Sequence, residues 1–500
     1  MRNIIKSSVT KNKIPVIRIV FMSCIRLIVA GMLLLSCTEG GRVWIAPAPE
    51  GEALSRDFEM TVNGCPAPVY TARVAPVERE LRDKAMDDKA NSALYYDMAS
   101  FACFEMEGRV EVRVTYREDI HTVKVLPSAD SICARVSGRT ATFMMNRPRY
   151  LTVEVNGDMF HSLHLFADAP ETDIPDRNSP DVIFFEPGIH EISHLEVGDS
   201  QTLYISPGAI VRVVIDPQEP FSISGYSGLK NYAPAIRLKG KNIRVCGRGI
   251  LDATGCTTHA REMITVSPGS KNIRIEGVVI RDSPAWTVPV TGSDGVRIKN
   301  LKLIGYRANS DGIDICGSTR VEVADCFFRT HDDLVVVKTQ TGMPPASDIH
   351  VHGCVLWNQC AHALSLGAEL RQDVSRVVFE DCDVIHDVGR EWTLRIYHSD
   401  KATISHIRFE NIRIEQSVRL ISLWIDRGYY SRDAERGYIH DITFRNIHVT
   451  GGEPLTVELQ GYDEEHTVNA VMFDNVTRYG KPLTREIVKM NEFVENISFK

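Results

Sequence analysis

Basic residues are not in excess. The chain has 57 Lys and Arg against 65 Asp and Glu, a net charge of −8, where a nucleic-acid binder would show a basic footprint. Nor does this balance give a general pull toward an acidic polysaccharide, so only a local basic cleft could attract one. After residue 35 no apolar run reaches the ~20 residues that a membrane-crossing helix needs. The 12 cysteines include no CxxC pair, the spacing that would signal a zinc or redox motif. Helical periodicity is missing between the apolar segments of the second half. The overall composition, 43% hydrophobic and 24% charged, is that of a folded protein and argues against disorder.

What the second half does contain is a recurring phrase, hydrophobic-x-hydrophobic-x-polar-hydrophobic-x-hydrophobic. It opens at Ile243, Ile273, Val296, Val321, Ile349, Val377, Ile407, Ile442, Val471 and Ile497, 23 to 35 residues apart. A period in that range means one structural unit laid on the next, and the alternation at two makes each unit strand-like. Strands stacked on their equivalents without crossover helices describe a parallel β-helix. Cys326, Cys354 and Cys382 are spaced by 28 and 28, in a slot filled elsewhere by Val278, Leu301, Ile412 and Ile447. That slot faces inward, so these thiols are expected to act as small core hydrophobes.

The fold class expected is all-β, a right-handed parallel β-helix at 182–500 preceded by a small β-sandwich at 51–169, with a Pro/Asp-rich linker at 170–181. Residues 1–37 read as a lipoprotein signal peptide. Basic residues lead into the apolar run Leu27–Leu35, and Cys37 follows at a lipobox-like site, the expected point of lipidation. Residues 38–50 would be a tether. The expected location is therefore a bacterial cell envelope, with a lipid anchor to the membrane.

Three neighbouring coils carry acids and a histidine at similar offsets: Asn309, Ser310 and Asp311, then His331, Asp332 and Asp333, then His362. The next coil adds Arg395. Similar offsets on consecutive coils bring these side chains into one sector. Clustered carboxylates raise one another's pKa, and a carboxyl kept protonated is a general acid while its ionised neighbours activate water. Glycoside hydrolysis needs that division, and inverting enzymes leave roughly 6.5–9.5 Å between acid and base. No cofactor and no metal are expected; His350 and His352 alternate on one strand face without a third ligand and read as surface residues. His386 and Asp387 are a further pair that could reach the cluster.

Asn-x-Asp, Asp-Asp, His between small residues and Arg-Ile together resemble the polygalacturonases of glycoside hydrolase family 28 and their pectin-lyase-like relatives. The sandwich-plus-linker arrangement is also similar to family 49 dextranases and isopullulanases. The resemblance implies Asp332 as general acid, Asp311 and Asp333 as the pair that holds and deprotonates water, and His362 as the group that tunes the acid's proton. Arg395, His331 and Tyr397 would line the substrate, and Asn309 would support Asp311. It also implies an inverting hydrolase of α-linked pectic glycans, of galacturonate or rhamnogalacturonan type, with a polysaccharide or oligosaccharide as its partner. Two departures stand out: Ala361 and Ala363 replace the family's glycines, and Tyr397 replaces a lysine that contacts the galacturonate carboxylate. A neutral phenol is a poor substitute for an ammonium there, which keeps a neutral-glycan hydrolase open. A non-catalytic glycan-binding β-helix is the alternative from another class. The loop Thr339–Ser347 is expected to close one end of the cleft and favour exo-action.

Overall fold

The computed structural model describes residues 40–500; the leader and the expected lipidation site Cys37 lie outside them. Among the described residues no helix is long and apolar enough to cross a membrane.

The first part is two β-sheets face to face around a core that includes Phe104, Val112, Val114, Phe143, Leu151 and Leu163. One sheet has six strands and the other five, and pairing is antiparallel except where Asp158–Asp168 runs parallel to Asp97–Glu107. The expected tether is not wholly a tether. Arg42–Trp44 pairs with the end of Asp97–Glu107, because Val43 opposite Met106 has a core to enter. Between strands the chain forms a nine-residue helix, Arg79–Asp87, followed by the 3-10 turn Ser92–Leu94. Residues 170–181 form no strand.

From Val182 onward the strands build two long sheets of 21 and 11 strands, parallel except for the short antiparallel pairing of Lys481–Pro482, a parallel β-helix. The leading apolar residues of the repeat stack directly: Val321 on Ile349, Ile349 on Val377, Val377 on Ile407, Ile407 on Ile442, Ile442 on Val471 and Val471 on Ile497. The residue before each of them takes a left-handed conformation. Asn242, Asn272, Arg320, Asp348, Arg376, His406, Asp441, Ala470 and Asn496 have φ between +52° and +58°. That conformation is least costly for Asn, Asp and Gly, which accounts for the polar residue opening so many repeats. Inside, Phe379, Phe409, Phe444, Phe473 and Phe499 form a stack with ring centroids 4.9 to 5.3 Å apart. Cys326, Cys354 and Cys382 are fully buried in the same core.

The sandwich packs against one flank of the solenoid through a second apolar cluster that joins Tyr70, Phe101 and Phe166 to Ile250, Phe327 and Trp357. Buried polar contacts cross the same boundary. Lys302 Nζ donates to Asp168 at 2.5 Å, Ala75 N donates to Gln359 at 2.9 Å, and His386 pairs with Glu154. His386 therefore serves the domain contact and not the acid cluster, while Asp387 is buried beneath it, bonded to Asn358 and Thr393.

Candidate active site

In four successive coils the corner between the second and third strands faces one cleft. Asp311 precedes the strand Ile313–Cys316, Asp332 and Asp333 precede Val335–Thr339, His362 precedes Leu364–Leu370, and Arg395 lies in Leu394–His398. Adjacent residues of a strand point to opposite faces, so Asp332 and Asp333 could not share a cleft if 330–334 were extended. The chain bends there instead, and both line the cavity. Gly312 lets these coils approach: a Cβ at that position would collide with the Leu334 carbonyl and press on Phe328.

One carboxylate oxygen from each of Asp311, Asp332 and Asp333 lies within 4.8 Å of the others. Their surroundings separate them. Burial, then the charges of Asp311 and Asp333, pushes Asp332 well above the usual carboxylate range, the direction a general acid needs. Burial also acts on Asp333, but His362 and Lys338 outweigh it and hold Asp333 below its ordinary value. His362 Nδ1 lies 2.5 Å from Asp333 Oδ1. Asp311 is raised to about 6 by burial, restrained by Lys338 and pushed further by Asp333.

Lys338 is the group that sequence reasoning missed. Its ammonium donates to Asp311 Oδ2 at 3.1 Å and to Asp314 Oδ1 at 2.7 Å, and it sits 4.2 Å from the centre of the Trp286 ring. Its one sequence signal is a lone charge in an otherwise uncharged strand, Val335-Val336-Val337-Lys338-Thr339. Asp311 Oδ1 is buried without a protein partner among the described residues.

Three expectations change. Asn309 lines the cavity in a left-handed conformation, but its side-chain Oδ1 accepts from His259 Nε2 at 2.9 Å, and Lys338 is what holds Asp311. His331 is fully buried and turned away from the cavity, with Nε2 3.2 Å from the Arg82 carbonyl of the sandwich, although it shares the bend with the two acids. Burial lowers it to about 3, so it is neutral and does not meet substrate. The loop Thr339–Ser347 reaches the cavity only through Gln340; Met343 and Pro344 pack over Gly317 instead.

Arg395 and Tyr397 both line the cavity. Arg395 Nη1 donates to Glu391 at 2.6 Å and contacts His362 Nε2 at 3.2 Å, and its guanidinium lies 4.3 Å from the Tyr397 ring centre. Tyr397 meets Trp424 edge-on at 4.8 Å. The cavity measures about 690 Å³, within the range of small-ligand sites. Its far walls come from three separate segments: Met86, Asp87 and Lys89 of the sandwich, Tyr226 and Asn231 of a β-hairpin, and Tyr429, Tyr430 and Arg432 of a late loop.

A family model for glycosyl hydrolases family 28 matches residues 241–495. A polygalacturonase of Juniperus ashei is 25% identical over 222 residues, 42% of each chain. A probable exopolygalacturonase B of Emericella nidulans is 22% identical over 305 residues, 53% of this chain and 61% of that one. The chain thus spans roughly two to three fifths of the length of these curated relatives. Among solved structures, Dex49A from Penicillium minioluteum superposes with a TM-score of 0.60 over 93% of this chain and 100% of that one, at 14% identity, a likeness of fold.

Proposed function

Because this chain belongs to the glycosyl hydrolases of family 28, we propose that it hydrolyses the α-linked galacturonan backbone of pectin by general acid and base catalysis. One observation carries the reading: Asp332 and Asp333 line one cavity with carboxylate oxygens within 4.8 Å of each other, and their surroundings push the first up and the second down. Asp332 would protonate the glycosidic oxygen. Asp333 Oδ1 is engaged by His362 and Asp311 Oδ2 by Lys338, so each acid keeps one oxygen for a shared water. Two acids converging on water favour inversion over a covalent intermediate. The close spacing of the oxygens pulls the other way, toward the ~5–5.5 Å usual for retention. The anomeric configuration of the first product, followed by NMR, decides it; a retained product would make one aspartate the nucleophile.

The walls formed by the sandwich, hairpin and late loop support attack from a chain end, expected to release one short product from the earliest times. Random internal cleavage would rule that out. Asp332→Asn should cut reducing-end release on polygalacturonate by about 10²–10⁴-fold; unchanged release removes Asp332 from the acid role. A second reading, a neutral glycan as substrate, is favoured by the phenol of Tyr397 where the family's lysine is expected. A panel of galacturonate, rhamnogalacturonate and neutral α-glucan oligomers separates the readings. Export and lipid attachment at Cys37 are proposed from the leader alone; Cys37→Ser should move the protein from the membrane fraction to the soluble one.

A further inference from the structure

We propose that Lys89, which belongs to the sandwich and not to the solenoid, is the cation that receives the carboxylate of an acidic sugar in this cleft. The inference rests on the galacturonan reading and supplies the recognition that Tyr397 lacks.

Five cationic side chains line the cavity. Lys338 is committed to Asp311 and Asp314, Arg395 to Glu391 at 2.6 Å, and Arg390 to Asp87 at 3.1 Å. Arg432 is exposed and donates only to the backbone carbonyls of Tyr429 and Ser431. Lys89 has no carboxylate partner among the described residues. Its ammonium lies 3.2 Å from the centre of the Tyr226 ring and is half-buried. An ammonium held on an aromatic face keeps its charge and its donors for a ligand, and a charge-assisted bond to a carboxylate is among the stronger polar contacts.

The contacts beyond Lys89 tie it to the reacting centre. Tyr226 and Tyr430 line the same cavity as Lys89 and Asp332. Tyr226 also packs beside His259, with ring centroids 6.1 Å apart, and His259 donates to Asn309 two residues before Asp311. Lys89 therefore stands on an aromatic wall of the cavity that the three acids line, and that wall leads to the segment carrying Asp311. A uronic acid seated against that wall would direct its carboxylate to Lys89 while its glycosidic oxygen faced Asp332.

The test uses the full chain carrying Asp332→Asn, so that substrate is bound and not consumed. Calorimetry compares trigalacturonate with the corresponding neutral galactose trimer. The parent should favour the acidic trimer. Adding Lys89→Met should weaken that trimer by about tenfold to a hundredfold and leave the neutral one unchanged, and Lys89→Arg should restore most of the loss. Equal affinity of the parent for both trimers, or a Lys89→Met loss shared by both, overturns the inference. Hydrolysis by the chain with Asp332 intact is scored separately. Lys89-dependent binding without release of reducing ends would leave this inference standing and sink the hydrolase reading.

Discussion

His362 bridges Asp333 and Arg395, with Nδ1 2.5 Å from the Asp333 carboxylate and Nε2 3.2 Å from the Arg395 guanidinium. Arg395 can only donate, so Nε2 accepts and Nδ1 is left to donate to Asp333. The guanidinium thereby fixes which imidazole nitrogen serves the acid.

Removing that imidazole should be felt as a titration. With His362→Ala, Asp333 loses the contact that holds it below its ordinary value, so it rises. The acidic limb of the kcat/KM profile should move to higher pH, with activity at the optimum lower by about 10²-fold. A lower rate with an unmoved limb would assign His362 a packing role only.

Lys338→Met takes away the counter-charge shared by Asp311 and Asp314. Both are already pushed up by burial, and without the ammonium they should hold protons at neutral pH. The expected result is a large fall in kcat with little change in KM, together with an upward shift of the acidic limb. Lys338→Arg keeps the charge but not the compact fit beside Trp286, so partial rescue is expected.

Asp311 costs stability at neutral pH. Its folded value of about 6 stands above its ordinary 3.8, so between those values the folded chain holds a proton that the unfolded chain releases. Its contribution is full below about pH 4 and is lost as pH rises through 6. Asp311→Asn titrates in neither state. It should be inactive yet more stable than the parent by about 1–3 kcal/mol at pH 7, with the gap closing toward pH 4 in thermal melts. A gap independent of pH would refute this.

Tyr397 also has a mechanical neighbour. A Cβ on Gly428 would collide with the Tyr397 hydroxyl, so the loop carrying Tyr429 and Tyr430 rests directly on that phenol. Gly428→Ala should displace the loop and raise KM by about tenfold. Tyr397→Phe removes the obstructing oxygen, and the double variant should recover part of the loss. Additive defects would show that the two residues do not meet.

The solenoid was legible because its signal repeats: ten leading apolar positions, each preceded by a residue in a tight left-handed turn, report one geometry many times over. The acids were legible for a related reason, since equal offsets on stacked coils become neighbours. His331 misled because sequence adjacency to Asp332 and Asp333 says nothing of a bend that faces two residues outward and one inward. Lys338 was hidden within a strand buried on both faces, where alternation gives no direction. Lys89 and Tyr226 were out of reach because their placement beside the acids comes from domain docking and a hairpin, contacts with no period. Arg42–Trp44 reads as tether in the sequence because a three-residue strand is too short to alternate visibly.

Arg329, fully buried in the solenoid wall, donates to the Phe160 carbonyl at 2.9 Å, contacts His164 at 3.1 Å and stacks 4.4 Å from Trp357. Burial brings its guanidinium down to about 9. A gene fusion that exchanged the sandwich for an unrelated module would strand this cation and its indole on a bare flank. The two parts are therefore a poor substrate for shuffling, and an engineer seeking a new specificity should graft loops into the cleft and leave the lobes as inherited together.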